Sequence, residues 1–369
     1  VGSLAMLPIT FFVGFLIVRK IHRFPMVLTF FAAAALTIGA LGVQNGATEL
    51  TADGVGQLLL EILTSWPVIF FGMIMLTEPF TAPATRPLQM TYAGIVGVLF
   101  GSSFHIGPIY ATPEFALLVG NLFTACVTPA PRLFLTFKER IQVTPDTYHF
   151  RFAIPHPFRF TPGQYMEWML PHIAPDLRGT RRYFTVASAP SEKTLDIGVK
   201  IGEKSSTFKR ALLGLQDGSL MVAAQLAGDF TLPREKNTKL VFIAGGIGIT
   251  PFRSMVRALL DKKERRDITL LYAANSPADF AYKDVWNEAA EVIGLKTVYV
   301  ATRAELCPPD WDGCTGYITP EMILREVPDY RSRTFYISGP GAMVHAYQEL
   351  LAKIGVSKTN IVTDYFPGF

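Results

Sequence analysis

The sequence predicts a membrane α-helical bundle of about five helices, followed by an antiparallel β-barrel domain and an α/β doubly wound domain. Three observations carry this. Residues 1–131 hold only four Lys/Arg (Arg19, Lys20, Arg23, Arg86) and five acids, whereas the other 238 residues hold 30 and 25. From Arg132 to about Leu232 the chain reads as short alternating strands with Pro/Gly turns. From Lys239 onward strands and helices alternate, which requires a parallel sheet. The domain limits are 1–131, 132–235 and 236–369.

Bulk properties exclude several classes. Half of the residues are hydrophobic and the net charge is +4, which gives no case for nucleic acid. Cys126, Cys307 and Cys314 are too few and too scattered for an iron–sulfur cluster held by four thiolates. Cys307 and Cys314 share a loop and are expected as free thiols rather than a disulfide. No metal site is expected.

In the first third the apolar stretches are Leu4–Val18, Pro25–Val43, Val55–Leu76, Tyr92–Ala111 and Glu114–Val127. The second to fourth meet the length of about 20 residues that a membrane span needs. The start "VGSLAMLPI" lacks the charged region and cleavage site of a signal peptide and reads like the middle of a longer chain. Basic residues set the orientation. Arg19–Arg23, Arg86 and the Arg132–Arg140 segment fall on one side of five spans. The loops Gln44–Gly54 and Ser102–Pro113 fall on the other and hold no Lys or Arg. The expectation is a multi-pass protein of the cytoplasmic (inner) membrane with its soluble domains on the cytoplasmic side. Glu61 lies six residues into the third span, as an ion site or as a hydrogen-bonded glutamate near the interface. The Pro- and Thr-rich boundary within Leu76–Gly101 predicts a broken helix and a re-entrant turn.

That boundary, with "TPEFALLVGNLFTACVTP" and "LPITFFVGFLIVRKIHRFPMVLTFF", resembles the C-terminal half of a family of flavin-carrying membrane proteins. These are the related membrane components of the sodium-translocating NADH:quinone reductase and of the Rnf complex. The resemblance covers about residues 3–131, with Glu78 where that family has aspartate. Its members carry FMN on a threonine upstream of this region. "NGATEL" echoes that attachment sequence at Thr48, although an ordinary polar turn is the stronger reading.

In the soluble part, "TYHFRFAI", "QYMEWML", "LDIGVKI" and "SLMVAAQL" read as barrel strands. "KLVFIAG", "DITLLYAA", "LKTVYVAT" and "RTFYISG" read as sheet strands separated by helices. The stretch "LVFIAGGIGITPF" (Leu240–Phe252) is a strand, a glycine turn and a helix start. Gly245, Gly246 and Gly248 let the backbone approach a ligand where a Cβ would clash. Thr250 is expected to N-cap the helix, with Pro251 at its first position. The free N–H groups and helix dipole then favour a pyrophosphate.

The order of further motifs resembles the ferredoxin–NADP reductase family over residues 132–369. "RRYFTVAS" fits its R-x-[YF]-[ST] pattern through Arg182, Phe184 and Thr185; "FTPGQYMEW" and "QLAGDFTLP" fit its barrel segments. The resemblance implies a flavin-binding barrel and an NAD(P)-binding sheet. Tyr183 and Phe184 would lie at the flavin ring, Thr185 near flavin N5, and Arg182, in preference to Arg181, on a flavin phosphate. Val199 and Lys200 would pass beside the flavin, and Ser206 and Thr207 would grip phosphate. Gly245, Gly246, Gly248, Thr250 and Pro251 would hold the coenzyme, with Gly339 and Pro340 at the nicotinamide. Thr185, Ser338 (often Cys in the family) and Phe366 of "DYFPGF" would stand at the reacting centre. The implied cofactors are FAD, with FMN also satisfying the motif, and NADH or NADPH. Asp279 in "NSPADF" suits a free ribose 2′-hydroxyl and favours NADH. The pair Thr302 and Arg303 resembles the element that binds the 2′-phosphate in NADPH-using relatives.

The resulting expectation is a membrane-anchored flavoprotein oxidoreductase passing electrons from NAD(P)H through FAD to a separate acceptor: a quinone, a membrane flavin, a ferredoxin-like protein or partner redox subunits. The alternative is an electron-relay subunit of an ion-translocating redox complex.

Overall fold

The computed structural model describes residues 6–21, 23–44, 54, 67–78, 81–83, 85–107, 109–127 and 132–366. The chain divides into two compact units, Val1–Ala130 and Pro131–Phe369. Glu61 and Thr48 lie outside the described residues.

The N-terminal unit is helical. Helix α1 runs Leu7–Ile21, α2 Phe24–Gln44, α3 Arg86–Gly101 and α4 Pro113–Val127. Between α2 and α3 a short α-helical turn, Val68–Phe70, continues as a π-helical segment, Phe71–Met75. Thr112 Oγ1 accepts from Phe115 N–H at 3.2 Å and so caps α4. Phe30, Phe71 and Phe100 form the centre of the bundle, their ring centroids 4.7–5.3 Å apart. Gly97 and Gly101 lie where a Cβ would come within 2.9 Å of backbone oxygens of α2, so α2 and α3 touch backbone to backbone.

Among the described residues one helix, α2 with 21 residues, is long and apolar enough to cross a membrane. Three span-length helices, and with them a five-span bundle, are therefore not shown among the described residues. The third stretch is described only from Pro67. The fourth departs from its sequence reading. Helix α3 starts six residues earlier and stops at Gly101, where Ser102 turns to extended backbone. Beyond it His105–Ile106 (β1) and Ile109–Tyr110 (β2) form a hairpin. The 16 residues of α3 span about 24 Å, short of a hydrocarbon core of about 30 Å. The expected break is present between Met75 and Arg86. Arg23 Nη1 donates to the Thr77 carbonyl at 3.1 Å, satisfying the broken end.

The C-terminal unit contains two six-stranded sheets. The first is antiparallel: β3 (Leu133–Thr144), β4 (Thr147–Ala153), β5 (Tyr165–Met169), β6 (Arg181–Thr185), β7 (Thr194–Lys200) and β8 (Leu220–Ala227), in the order β6-β5-β8-β3-β4-β7. It closes over Phe150, Phe152, Trp168, Ile197 and Met221. Helix α5 (Thr207–Leu213) follows β7. The second sheet is parallel: β9 (Leu240–Gly245), β10 (Ile268–Ala274), β11 (Lys296–Ala301), β12 (Cys314–Thr315), β13 (Thr334–Pro340) and β14 (Ile361–Phe366), in the order β12-β11-β10-β9-β13-β14. Helices α6 (Thr250–Lys262), α7 (Lys283–Ile293), α8 (Pro320–Glu326) and α9 (Gly341–Lys353) cover its faces. Strand β9 is buried throughout. Phe242 packs toward Phe252 and Tyr272 on one face, while Val241 and Ile243 pack toward Ile323 and Leu351 on the other, as the two-residue period of a strand dictates. The connections reverse direction between β9 and β13, which opens a crevice beyond their carboxyl ends.

The opposite end of this sheet is tied by Arg333. Its guanidinium meets Asp267 at 2.6 and 3.1 Å, Asp329 at 2.6 Å and the Leu240 carbonyl at 3.3 Å. Hydrogen bonding from Arg333, then Lys239, holds the Asp329 carboxyl at about 2, below its ordinary 3.8. A depressed carboxyl stabilises the fold above about pH 4 and stops doing so as pH falls through about 2. Arg333→Met is expected to cost at least about 2 kcal/mol at neutral pH and to flatten the stability loss between pH 4 and 2. Denaturant melts of the Pro131–Phe369 unit across that range provide the check.

Candidate functional site

The crevice between β9 and β13 is built from two backbone turns pressed together. After Gly245 the chain makes a 3-10 turn, Gly246–Ile249, and enters α6. Gly246 is left-handed, with φ +52°, a conformation that favours glycine. A Cβ on Gly245 would strike the Met343 sulfur, and one on Gly248 would strike the Ser338 carbonyl and Gly339. These two glycines therefore admit the neighbouring turn. Buried Tyr272 donates to the Gly246 carbonyl at 3.3 Å and accepts from Ala281 N–H at 3.1 Å, anchoring the turn from β10.

Thr250 does not cap α6. The 3-10 turn brings helical geometry one residue earlier, so Ile249 holds the cap position and Thr250 is already helical, with Pro251 next. Thr250 Oγ1 instead donates to the Ile247 carbonyl at 3.2 Å. Among the described residues no side chain caps the first turn of α6; the Thr250 N–H donates to the Ile247 carbonyl, and Pro251 has no N–H.

Across the crevice stand Ser338, Gly339 and Pro340 at the end of β13. Ser338 is fully buried, and its Oγ has no hydrogen-bond partner among the described residues. Asp364 lies opposite Ser338 on β14. Its Oδ2 is likewise enclosed and unpartnered, and burial raises its carboxyl to about 6. The sequence reading noted Asp364 only as part of the C-terminus, because pairing with β14 is not visible locally. Phe366 pairs with Pro340 through its backbone, and its side chain lies outside the described residues. On the barrel side, Thr185 ends β6 with a second buried hydroxyl that has no partner among the described residues. The chain beyond it reaches α6: the Ala187 carbonyl accepts from Arg253 at 2.9 Å, and the Ser188 carbonyl from Ser254 at 2.6 Å.

A second cluster gathers around α5. Phe184 packs 5.9 Å from Phe208, and Arg182 lies over the same ring at 5.3 Å. Ser206 caps α5 by accepting from Lys209 N–H at 3.4 Å. Thr207 Oγ1 meets Asp176 N–H at 3.0 Å and His172 Nε2 at 3.1 Å. Arg182 Nη2 donates to both Asp176 carboxylate oxygens, at 2.8 and 3.1 Å, and Nη1 donates to the carbonyls of Arg178, Gly179 and Arg181, while its buried Nε has no partner among the described residues. Burial raises the Asp176 carboxyl, but the Arg178 N–H and Arg182 outweigh it and hold it below its ordinary range. Lys209 is pushed down by burial and then by Arg178, Arg182 and Lys200. The cluster is therefore crowded with positive charge.

Several sequence candidates lie apart from these clusters. Arg181 and Tyr183 alternate to the other face of β6, where Arg181 pairs with Glu167 at 3.6 Å. Burial and Glu167 raise the Tyr183 phenol to about 12. Val199 is in the barrel core, and Lys200 pairs with Asp146 at 2.8 Å. Arg303, after β11, is exposed, and among the described residues nothing holds its guanidinium. The Asp279 carboxylate is committed to Ser276, to its N–H at 3.0 Å and its hydroxyl at 2.9 Å. The three cysteines are free, and no metal-binding group occurs among the described residues.

Residues 242–349 match the family model described as oxidoreductase NAD-binding domain. The chain is 27% identical over 230 residues to a glycine betaine monooxygenase reductase subunit from Chromohalobacter salexigens, covering 61% of this chain and 62% of that one. It is 29% identical to the stachydrine N-demethylase reductase subunit of Rhizobium meliloti, covering 62% of each. The structure of the Amycolatopsis cytochrome P450 reductase GcoB superposes with a TM-score of 0.57 at 26% identity, over 64% of this chain and 70% of that one. Residues 242–349 resemble the NAD-binding part of an oxidoreductase module. The chain spans about three fifths of the length of the first two relatives, so their whole-protein activities are theirs.

The raised Asp364 carboxyl has a stability consequence. Its folded form retains a proton that the unfolded chain releases above about pH 4, so stability falls as pH rises toward 6. Asp364→Asn is expected to raise Tm at pH 7 by about 2–4 °C and to leave it nearly unchanged at pH 4. Calorimetry of ligand-free protein at the two pH values decides this.

Proposed function

We propose that this chain is a membrane-attached flavoprotein reductase that moves electrons from NAD(P)H through FAD to a separate acceptor. The observation that carries the reading is a pair of orphaned buried hydroxyls: among the described residues Thr185, at the end of β6, and Ser338, in the crevice, have no hydrogen-bond partner. Isolated buried hydroxyls cost free energy, so their occurrence fits polar groups of a bound ligand.

FAD, when bound, supplies hydride acceptance and release of single electrons. The chain's own residues do the rest. Thr185 Oγ1, at the end of β6, would donate toward the flavin edge, and Phe184 would lie along the ring. Arg182 and Lys209 would meet the phosphate at α5, while Ser206 and Thr207 shape that helix start. The α6 N-terminus would take the coenzyme pyrophosphate. Ser338 and Gly339 would seat the nicotinamide, and the close turns would exclude water from it. Asp364 sits beside Ser338 as a carboxyl able to hold a proton near neutrality.

Coenzyme choice turns on Arg303. With Asp279 committed to Ser276, the acid that favoured a free 2′-hydroxyl is engaged. The free guanidinium of Arg303 is the group suited to a 2′-phosphate.

Membrane attachment is supported by α2 and by the outward apolar side chains of the N-terminal unit, among them Phe12, Leu28, Leu36, Leu118 and Leu122. The soluble module would then face the cytoplasm, and its acceptor would be a quinone, a membrane flavin or a ferredoxin-like protein. The named functions of the relatives, reductase subunits serving a monooxygenase or a demethylase, support an acceptor on another chain.

Purified protein is expected to release FAD on acid extraction and to oxidise NADH or NADPH with ferricyanide as acceptor. FMN alone, or bound flavin without turnover, would overturn the reading. Arg182→Ala should lose flavin, through a charge-assisted bond worth about 1.5–3 kcal/mol. Arg303→Ala should lower kcat/KM with NADPH by about tenfold, roughly 1.4 kcal/mol, and leave NADH nearly untouched. Equal, small effects on both coenzymes would remove Arg303 from the site.

A further inference from the structure

Where the barrel meets the parallel sheet, a buried polar chain links the two. His149 on β4 and Asp196 on β7 are 3% and 0% exposed. His149 Nε2 lies 2.9 Å from Asp196 Oδ2, and its Nδ1 lies 3.1 Å from the hydroxyl of Tyr282. Tyr282 immediately precedes α7 and so belongs to the sheet side of the seam. Burial holds its phenol above the ordinary range, so it keeps its proton. With a neutral imidazole that donates Nε2–H to Asp196, Nδ1 is the acceptor for Tyr282 O–H.

Two features show that the fold gives up other options to make this contact. Tyr282 is left-handed, with φ +58°, a strained conformation for a bulky residue. Gly198, directly opposite His149 on β7, leaves the space that Tyr282 fills. A Cβ there would come within 2.5 Å of the Tyr282 hydroxyl and 2.6 Å of the Thr250 methyl. Arg253 of α6 lies 5.8 Å from the Tyr282 ring centroid and binds Glu192 at 2.7 Å. One point thus joins β7, one residue before Val199 and Lys200, to Thr250, the first residue of the helix at the crevice.

We propose that Tyr282, His149 and Asp196 are positioning residues that set how the coenzyme turn is held against the flavin-bearing barrel. This rests on the reductase reading. Hydride transfer requires the two rings to be aligned to within fractions of an ångström. An apolar seam can slide, whereas a directional hydrogen bond between a fixed imidazole and a strained tyrosine cannot. Their effect passes through Gly198 and Thr250.

The test uses full-length protein and the variants Tyr282→Phe, which removes one oxygen, and Gly198→Ala, which displaces the ring. The expected result is FAD content and coenzyme KM within about twofold of wild type and Tm within a few degrees. The rate of flavin reduction in stopped flow should fall tenfold or more, with a weaker long-wavelength charge-transfer absorbance. In flavin-free protein, amide hydrogen exchange at Thr250–Phe252 should accelerate in Tyr282→Phe. Wild-type reduction rate, absorbance and exchange in Tyr282→Phe would overturn the proposal, as would a rate loss that merely follows flavin content or Tm. Wild-type protein that holds flavin yet is reduced by neither coenzyme would overturn the reductase reading and this inference together.

Discussion

The crevice depends on one close approach: the turn after β9 lies against the end of β13 with no room for a side chain at Gly248. From that contact follow the position of α6, the burial of Ser338 and the placing of Asp364 one strand further out. Any side chain at Gly248 would part the two turns and let water reach Ser338. The barrel contributes by meeting the same helix through Ala187 and Ser188.

Much of this architecture was legible in the sequence because its signals are local. Barrel strands such as Tyr165–Met169 alternate, and the buried run of β9 ends in glycines. The short elements β12 and α8 were not read, since two and seven residues are too few to show a period. Strand β14 and the partnership of Ser338 with Asp364 depend on pairing between segments distant in sequence. Thr250–Pro251 carries the usual signal of a helix start, yet the preceding 3-10 turn moved the cap to Ile249. His149 and Asp196 read as ordinary strand residues, because only the register of β4 with β7 and the approach of Tyr282 make them a network.

The N-terminal unit shows the limit of hydropathy as a guide. Tyr92–Ala111 is continuously apolar enough to suggest a span, but hydropathy carries no information about Gly101–Ser102, where the helix stops, or about the hairpin that follows. Conversely, the spacing of Gly97 and Gly101, one helical turn apart, puts backbone against backbone in a way that hydrophobic burial alone does not demand.

The grip of Arg182 on Asp176 bears on how the protein comes to hold its cofactor. A guanidinium enclosed by α5 and left without an anion would repel Lys209 and strain the barrel rim. Asp176 acts as a placeholder: it is ionised throughout the physiological range and supplies in advance the charge that a phosphate would bring. A phosphate that came to bind there would exchange one anion for another.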